Sequence, residues 1–386
     1  MKQAWIIRMR SRADTRHSPP KAVIAGCLSV ILLLVTTANA IALQSGDFSY
    51  TLGSGGKASI TRFNKEYSGA LVIPDTLDGH RVISIAGAAF SGCTGLTAVR
   101  IPDSVACIEE GAFICCSGLT GVTIPGSVTN IGKSAFASCT SLISATIPGS
   151  VASIADAMFS GCTVLSTVAI PGSLTNIGDG AFSVCKRLSH VTIPARVTAI
   201  GKSAFEGCSG LAAIALPDSV TSIGDFAFYN CDGLKSVAIG SGVNSIGIGA
   251  FRYCVSLTAI DVVSSNLSYS SLDGVLFDKS RQTLIQYPGG RAGNYNMPAS
   301  VIFISGLAFS RCPGLTRVTV PASVSKIGGS AFSFCKSLAI VTFNGDAPCV
   351  DPDVYSSADH WTAFYYSGTK GWGETIAGRP AVPLHR

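Results

Sequence analysis

Of the side chains in this 386-residue sequence that can do chemistry, cysteine is the most informative, with 14 copies. A cysteine thiolate can attack a carbonyl, ligate zinc or exchange with a disulfide. Spacing decides among these uses. Cys93, Cys116, Cys139, Cys162, Cys185, Cys208, Cys231 and Cys254 follow one another at 23-residue steps, and Cys312 and Cys335 repeat the step. Zinc ligands come instead as close pairs, and the sequence has no C-x-x-C. In the vicinal pair Cys115-Cys116 the second residue belongs to the column, which leaves the first as a surface residue and not half of a redox pair. His80, His190, His360 and His385 each stand outside any motif. The acid pairs Glu109-Glu110 and Asp351/Asp353 lie at turns and in the C-terminal segment, as ordinary surface acids. There is no G-x-G-x-x-G in a strand–helix context, no phosphate-binding loop and no H-E-x-x-H. These patterns predict a non-enzymatic chain with no metal and no cofactor site.

What the cysteine column does point to is a repeat. A phenylalanine precedes each column cysteine by three residues, from Phe90 to Phe332, and a leucine follows by three, from Leu96 to Leu338. Three columns held in step ten times define a solenoid, in which each coil buries its apolar side only against its neighbours. Residues 126–148, GSVTNIGKSAFASCTSLISATIP, show one full coil. The run from Leu142 to Ile147 alternates as a short strand does, and Pro148, lacking an N–H, ends it. Val128 and Ile131 supply a second apolar side, with room for a second short strand. Gly132 turns the chain, and Ala135, Phe136 and Cys139 point inward from a turn or short helical piece. Replacing one such phenylalanine by alanine is expected to cost roughly 3–5 kcal/mol.

The run from Leu142 fits the leucine-rich repeat phrase L-x-x-L-x-L. Together, SVTNIGKSAFASCTSLISATIP (127–148) and SVTSIGDFAFYNCDGLKSVAI (219–239) resemble the BspA-like leucine-rich repeat family of microbial secreted and cell-surface proteins. The resemblance runs from about residue 47 to the C-terminus. It implies a mainly β repeat solenoid of 23-residue coils, with short strands and turns, capped at both ends. It also implies surface adhesion, towards host matrix, other cells or glycans.

Composition agrees with a repetitive β-rich array: 13% charged residues, 47% hydrophobic ones and 42 glycines. Residues 1–40 differ from the rest. Lys2, Arg8, Arg10, Arg12, Arg16 and Lys21 form a basic head, an apolar run follows from Ala22 to Val35, and Ala38-Asn39-Ala40 fits an A-x-A cleavage site. This predicts a secretory signal peptide cleaved after Ala40. An uncleaved anchor is the alternative, since the apolar stretch to Leu43 is nearly long enough to span a bilayer. Ile24-Ala25-Gly26-Cys27 offers a third reading as a lipoprotein box, against which most of the apolar run lies after Cys27. The head also carries most of the net +6 charge; without it 22 basic and 21 acidic residues remain, so nucleic acid is not the expected partner. No membrane span is expected after cleavage.

Export makes disulfides a possibility, but stacked coils hold equivalent side chains parallel and about 4.8 Å apart, whereas disulfides need Cβ atoms near 3.8 Å that face each other. The column is therefore expected to be a ladder of buried thiols acting as small apolar groups. Cys107, Cys115 and Cys349 stand outside it, and a Cys107–Cys115 bridge is open.

Along the chain, residues 41–89 are expected to form an N-terminal cap and first irregular coil, with a hairpin in FSYTLGSGGKASITRF and a tight turn at Asp78-Gly79. Residues 90–343 make the array. Its longer variant coil at about 263–298 has two alternating strands around a polar Asp278–Arg281 turn. Asn266-Leu267-Ser268 is a glycosylation sequon. Residues 344–386, with Trp361, Phe364, Tyr365, Tyr366 and Trp372, are expected to close the array.

Strand alternation then fixes which side chains face out. Most outward positions are small or β-branched, which also simply suits a sheet. Arg100, Thr123, Thr146, His190, Thr192, Asp261 and Arg317 are the candidate partner-binding residues. The face lacks the Tyr, Trp and Arg anchors of tight interfaces, so weak contacts to a large or repetitive extracellular protein or glycan are expected. A structural spacer or weakly self-associating envelope component is the alternative.

Overall fold

A computed structural model describes residues 42–351, 361–376 and 378–385. The expected signal peptide, the Ile24–Cys27 box, Asp353 and His360 lie outside the described residues. Residues 40–386 form one unit.

Each coil has three sides. On the first, Leu142, Ala145 and Ile147 are buried while Ser144 and Thr146 face solvent. Where strands form here in the regular array, neighbouring coils pair in parallel in a 23-residue register, such as Ser144↔Thr167 and Ala145↔Val168. The proline that ends this side accepts at the next corner: Val151 N donates to Pro148 O at 3.0 Å, and Val220 N to Pro217 O at 3.0 Å. On the second side, two-residue strands such as Asn176–Ile177 and Ala199–Ile200 pair in parallel and bury the isoleucine. The glycine after that isoleucine lets coils approach closely. A Cβ on Gly201 would sit 2.5 Å from the backbone carbon of Gly178.

The third side is built of turns; no α-helix occurs among the described residues. Residues two before and two after the column phenylalanine take left-handed backbone, as at Ser134 (φ 54°) and Ser138 (φ 59°). Alternate N–H groups then reach the next coil: Ser134 N to Asp156 O at 2.9 Å, Phe136 N to Met158 O at 3.0 Å and Ser138 N to Ser160 O at 2.7 Å. These intercoil bonds hold non-glycine residues in a region that costs roughly 1–2 kcal/mol each.

Inside, the phenylalanines stack face to face. Phe136 and Phe159 have ring centroids 5.8 Å apart at 10°, and Phe205 and Phe228 5.3 Å apart at 2°. The ten column cysteines are buried free thiols. They are more than apolar filler. Those from Cys116 to Cys254 share one geometry, in which Cys139 Sγ, for example, donates to Phe113 O at 3.2 Å. Cys335 repeats it towards Phe309 O at 2.9 Å. Cys107 and Cys349 are free as well, so no Cys107–Cys115 bridge is made.

Antiparallel strands Leu43–Ser45, Phe48–Leu52 and Ala58–Phe63 cover the first coil, and the last of them pairs in parallel with His80–Ile85. Phe63 extends the ring stack to Phe90 at 5.0 Å. Asp78 and Gly79 both have positive φ, 48° and 80°, in a two-residue hairpin turn. At the other end the first-side ladder runs on past Phe343. Thr362–Tyr366 pairs in parallel with Ile340–Phe343, and Arg379–Leu384 with Thr362–Tyr366. Trp372 stacks on Tyr365 at 4.6 Å.

The variant coil inserts the strand Tyr269–Leu272, antiparallel to Val275–Asp278, which pairs in turn with Thr283–Gln286. Asp278 Oδ1 closes the second turn by accepting from Gln282 N at 2.7 Å and Thr283 N at 3.0 Å. Tyr287 takes the phenylalanine place, 5.1 Å from Phe309. The core divides here into two clusters.

Candidate functional site

The seven candidate residues occupy the outward positions of the first side, and all are exposed. Arg100 and Thr123 are direct register partners on neighbouring strands. Thr146 belongs to the next coil, on the strand Ser144–Thr146 of a separate two-stranded ladder. His190 and Thr192 lie on a first-side segment without strand pairing, and Thr192 Oγ1 stands 3.2 Å from His190 Nε2. Asp261 pairs with Ala238 on the last strand before the variant coil. Arg317, beyond it, pairs with Asn294 and Ile340. The structure therefore brings together Arg100 with Thr123 and His190 with Thr192. It does not gather all seven: Arg100 and His190 are four coils apart, about 19 Å at ~4.8 Å per coil. This is an extended strip and not a pocket.

The second side carries charge that stitches coils together. Asp156 binds Lys133 Nζ at 2.8 Å and accepts from Asp179 N at 3.0 Å. The hydrogen bond from Lys133 holds the Asp156 carboxyl below its ordinary range. Asp179 Oδ1 accepts from Lys202 N at 2.7 Å, and Asp225 Oδ1 from Ile248 N at 2.9 Å. An open groove of about 400 Å³ runs over these coils, lined by Asp179, Lys202, Ser222 and Asp225 among others. Its carboxylates are already committed to backbone N–H groups. Among the described residues no three His, Cys, Asp or Glu side chains are grouped as a metal would need. No helix among them is long and apolar enough to cross a membrane.

The third side holds a cluster that the outward-strand argument does not reach. Arg252 Cζ lies over the Tyr253 ring at 4.5 Å from its centroid, and Arg311 Cζ at 4.6 Å. Tyr253 also meets Tyr229 at 5.1 Å and Phe334 at 6.0 Å. Phe226 packs edge-on against Tyr229 at 5.7 Å. Phe226, Tyr253, Arg311 and Phe334 all occupy the two left-handed columns, where the other coils carry no aromatic or charged side chain. That break in column composition was the available signal.

Compared with known families, residues 63–189, 175–288 and 291–369 match the BspA type leucine rich repeat region (6 copies). No curated protein matches the chain. Among solved structures, the chain is similar to a leucine rich cell surface protein from Faecalibacterium prausnitzii. The two share 25% identity and a TM-score of 0.62, over 91% of this chain and 96% of that one. It is also similar in fold to a leucine-rich repeat protein from Bacteroides ovatus, at 23% identity and TM-score 0.53, over 84% of this chain and 94% of that one.

Proposed function

The chain belongs to the BspA type leucine-rich repeat family, and on that premise we propose that it is an exported binding protein. It works without catalysis, at the cell surface or secreted, by adhesion to an extracellular protein or glycan. The basic head, apolar run and A-x-A site of residues 1–40 support export. The similar Faecalibacterium prausnitzii structure is described as a cell surface protein. The observation that carries the binding role is the first side itself. A fixed frame of coils presents exposed Arg100, His190, Asp261 and Arg317 on one strip, suited to a large or repetitive partner met at several weak points.

A self-associating spacer has less support. Pro383 lies on the strand Arg379–Leu384, next to Thr362–Tyr366 in the first-side ladder, and it has no N–H to offer for pairing with another chain.

The test is a binding screen of the full chain against extracellular matrix proteins and glycans, beside a variant with Arg100, His190, Asp261 and Arg317 all changed to alanine. A specific hit weakened in the folded variant supports a binding strip on the first side. A hit that the variant retains moves the site elsewhere on the solenoid. No hit, with concentration-dependent assembly in light scattering, favours the spacer.

A further inference from the structure

The aromatic–arginine cluster straddles the place where the core divides. Arg252 and Tyr253 come from the coil before the inserted hairpin, Arg311 and Phe334 from coils after it. Between them the variant coil contributes Gly289, whose Cβ would lie 2.9 Å from Cys254 O and 3.2 Å from Arg311 O. A coil with no side chain at this position lets the flanking side chains converge over it. Arg252 is locked in place: its Nε donates to Ser310 Oγ at 3.3 Å and its Nη2 to Tyr253 Oη at 3.1 Å. Ser310 is buried and holds Ser333 Oγ at 2.9 Å. The cluster is thus preorganised, which lowers the ordering cost of binding.

Its surface is both cationic and apolar. Among the described residues neither guanidinium forms an ion pair. Asp232 feels the charge of Arg311, which offsets part of the upward push that burial gives its carboxyl, and yet it does not close a bridge. Beside the cations lies exposed Phe334, 6.0 Å from the Tyr253 ring, and half-buried Phe226 joins the cluster through Tyr229. Gly249 makes room for the Phe226 ring, since a Cβ there would be 2.9 Å from its Cε1. Tyrosine and arginine with apolar neighbours is the composition of binding hot spots.

We propose that this edge docks an acidic, apolar-bearing segment of a partner protein. Arg311, exposed and stacked on Tyr253, presents its N–H edge for bidentate pairing with a carboxylate. Arg252, whose Nε and Nη2 already donate within the cluster, adds its positive charge. Beside apolar side chains the two call for acids flanked by apolar residues. A sugar ring is the poorer fit, because the Tyr253 face on which it would stack is already covered by guanidinium. The proposal rests on the binding role argued above, and places a site on a different side of the coil from the Arg100–Arg317 strip.

The test is selection of a random dodecapeptide display library on the full chain and, in parallel, on the Arg252→Gln/Arg311→Gln variant. Synthetic peptides from the selection are then titrated at low and physiological salt, with polygalacturonate and heparin as anionic glycan probes. The expected result is enrichment of sequences pairing Asp or Glu with Phe, Leu or Ile. Binding should weaken about tenfold in the double variant, weaken again with salt, and be only partly restored by Arg311→Lys. The proposal is overturned by enrichment of neutral or basic sequences, by equal binding to the variant, or by glycan probes that bind more tightly than the peptides. It is also overturned if the substitutions only lower the melting temperature, since a clamp joining the two core clusters would do that alone. Because the Arg100/His190/Asp261/Arg317 variant leaves this edge intact, loss of the strip's function and loss of this site are read separately.

Discussion

The thiol of Cys162 donates to the carbonyl oxygen of Phe136, one coil back, at 3.1 Å. The same contact recurs from Cys185 to Phe159 at 3.2 Å and from Cys208 to Phe182 at 3.1 Å. Sulfur here fills a small apolar space and also serves a carbonyl at the corner after the ring stack, so cysteine satisfies two demands that alanine or valine would each meet only in half.

Burial pushes the Cys162 and Cys208 thiols up to about 12, which leaves almost no thiolate near neutral pH. Alkylation of the native protein, followed by mass spectrometry, should label exposed Cys349 first, half-buried Cys107 more slowly, and the column cysteines only after unfolding. Rapid labelling of the column in the folded state would contradict the packing. Cys162→Ala should lower stability by about 1–2 kcal/mol in denaturant melts.

Val184 stands at a left-handed position, φ 62°, where the neighbouring coils carry Gly161 and Gly207 at φ 76° and 69°. A β-branched residue is poorly suited to that backbone. Val184→Gly should therefore stabilise the protein by about 0.5–1 kcal/mol, after the greater freedom of glycine in the unfolded chain is subtracted. The reverse change, Gly207→Val, should destabilise it. Paired melting curves of the two variants check the sign.

Such positions mark the limit of what was legible in the sequence. The columns of Phe, Cys and Leu fixed the period, and alternation around Ala145 and Ile147 fixed which side chains face in, because both follow from local spacing. The left-handed turns were not legible. Neither Val184 nor Tyr253 has a local preference for them, and Val184 is held there by its N–H bond to Glu206 O on the next coil, at 2.6 Å. Tyr287 was hidden for a different reason: the inserted hairpin shifts the phase, and tyrosine replaces the marker residue. For the site, the i, i+2 pair His190 and Thr192 could be placed on one face from spacing alone. The meeting of Tyr253 with Phe334 could not, because it depends on a glycine coil between them.

Asn266 sits in a sequon but is fully buried. Its Nδ2 donates to Gly240 O at 2.8 Å and Val243 O at 2.9 Å, and its Oδ1 accepts from Ser268 N at 2.9 Å and Tyr269 N at 2.8 Å. The nitrogen that a glycan would use is committed to joining the hairpin to the preceding coil. Expression in a glycosylating host should leave the mass at this site unchanged. Asn266→Ala should cost about 2–4 kcal/mol, since two buried carbonyls lose their donor.

Asp78 links the N-terminal strands to the first coil. Its carboxylate accepts from Tyr50 Oη at 2.8 Å and from Ser45 Oγ at 2.9 Å. These two bonds, that from Tyr50 foremost, hold its carboxyl below the ordinary value near 3.8. A carboxyl lowered in the folded state binds fewer protons there than in the unfolded chain, so it adds stability at pH above the unfolded value. That contribution is lost as pH falls through the folded value. Acidification through the carboxylate range should therefore loosen the strand Phe48–Leu52, seen as faster hydrogen exchange of its amides. Asp78→Asn should remove part of this pH dependence. The remainder should persist, because Asp156 and Asp218 are lowered too, by Lys133 and by the Ser241 backbone N–H. Exchange at Phe48–Leu52 that is equally pH-dependent in wild type and Asp78→Asn would show that the Tyr50–Asp78 contact does not secure this end of the array.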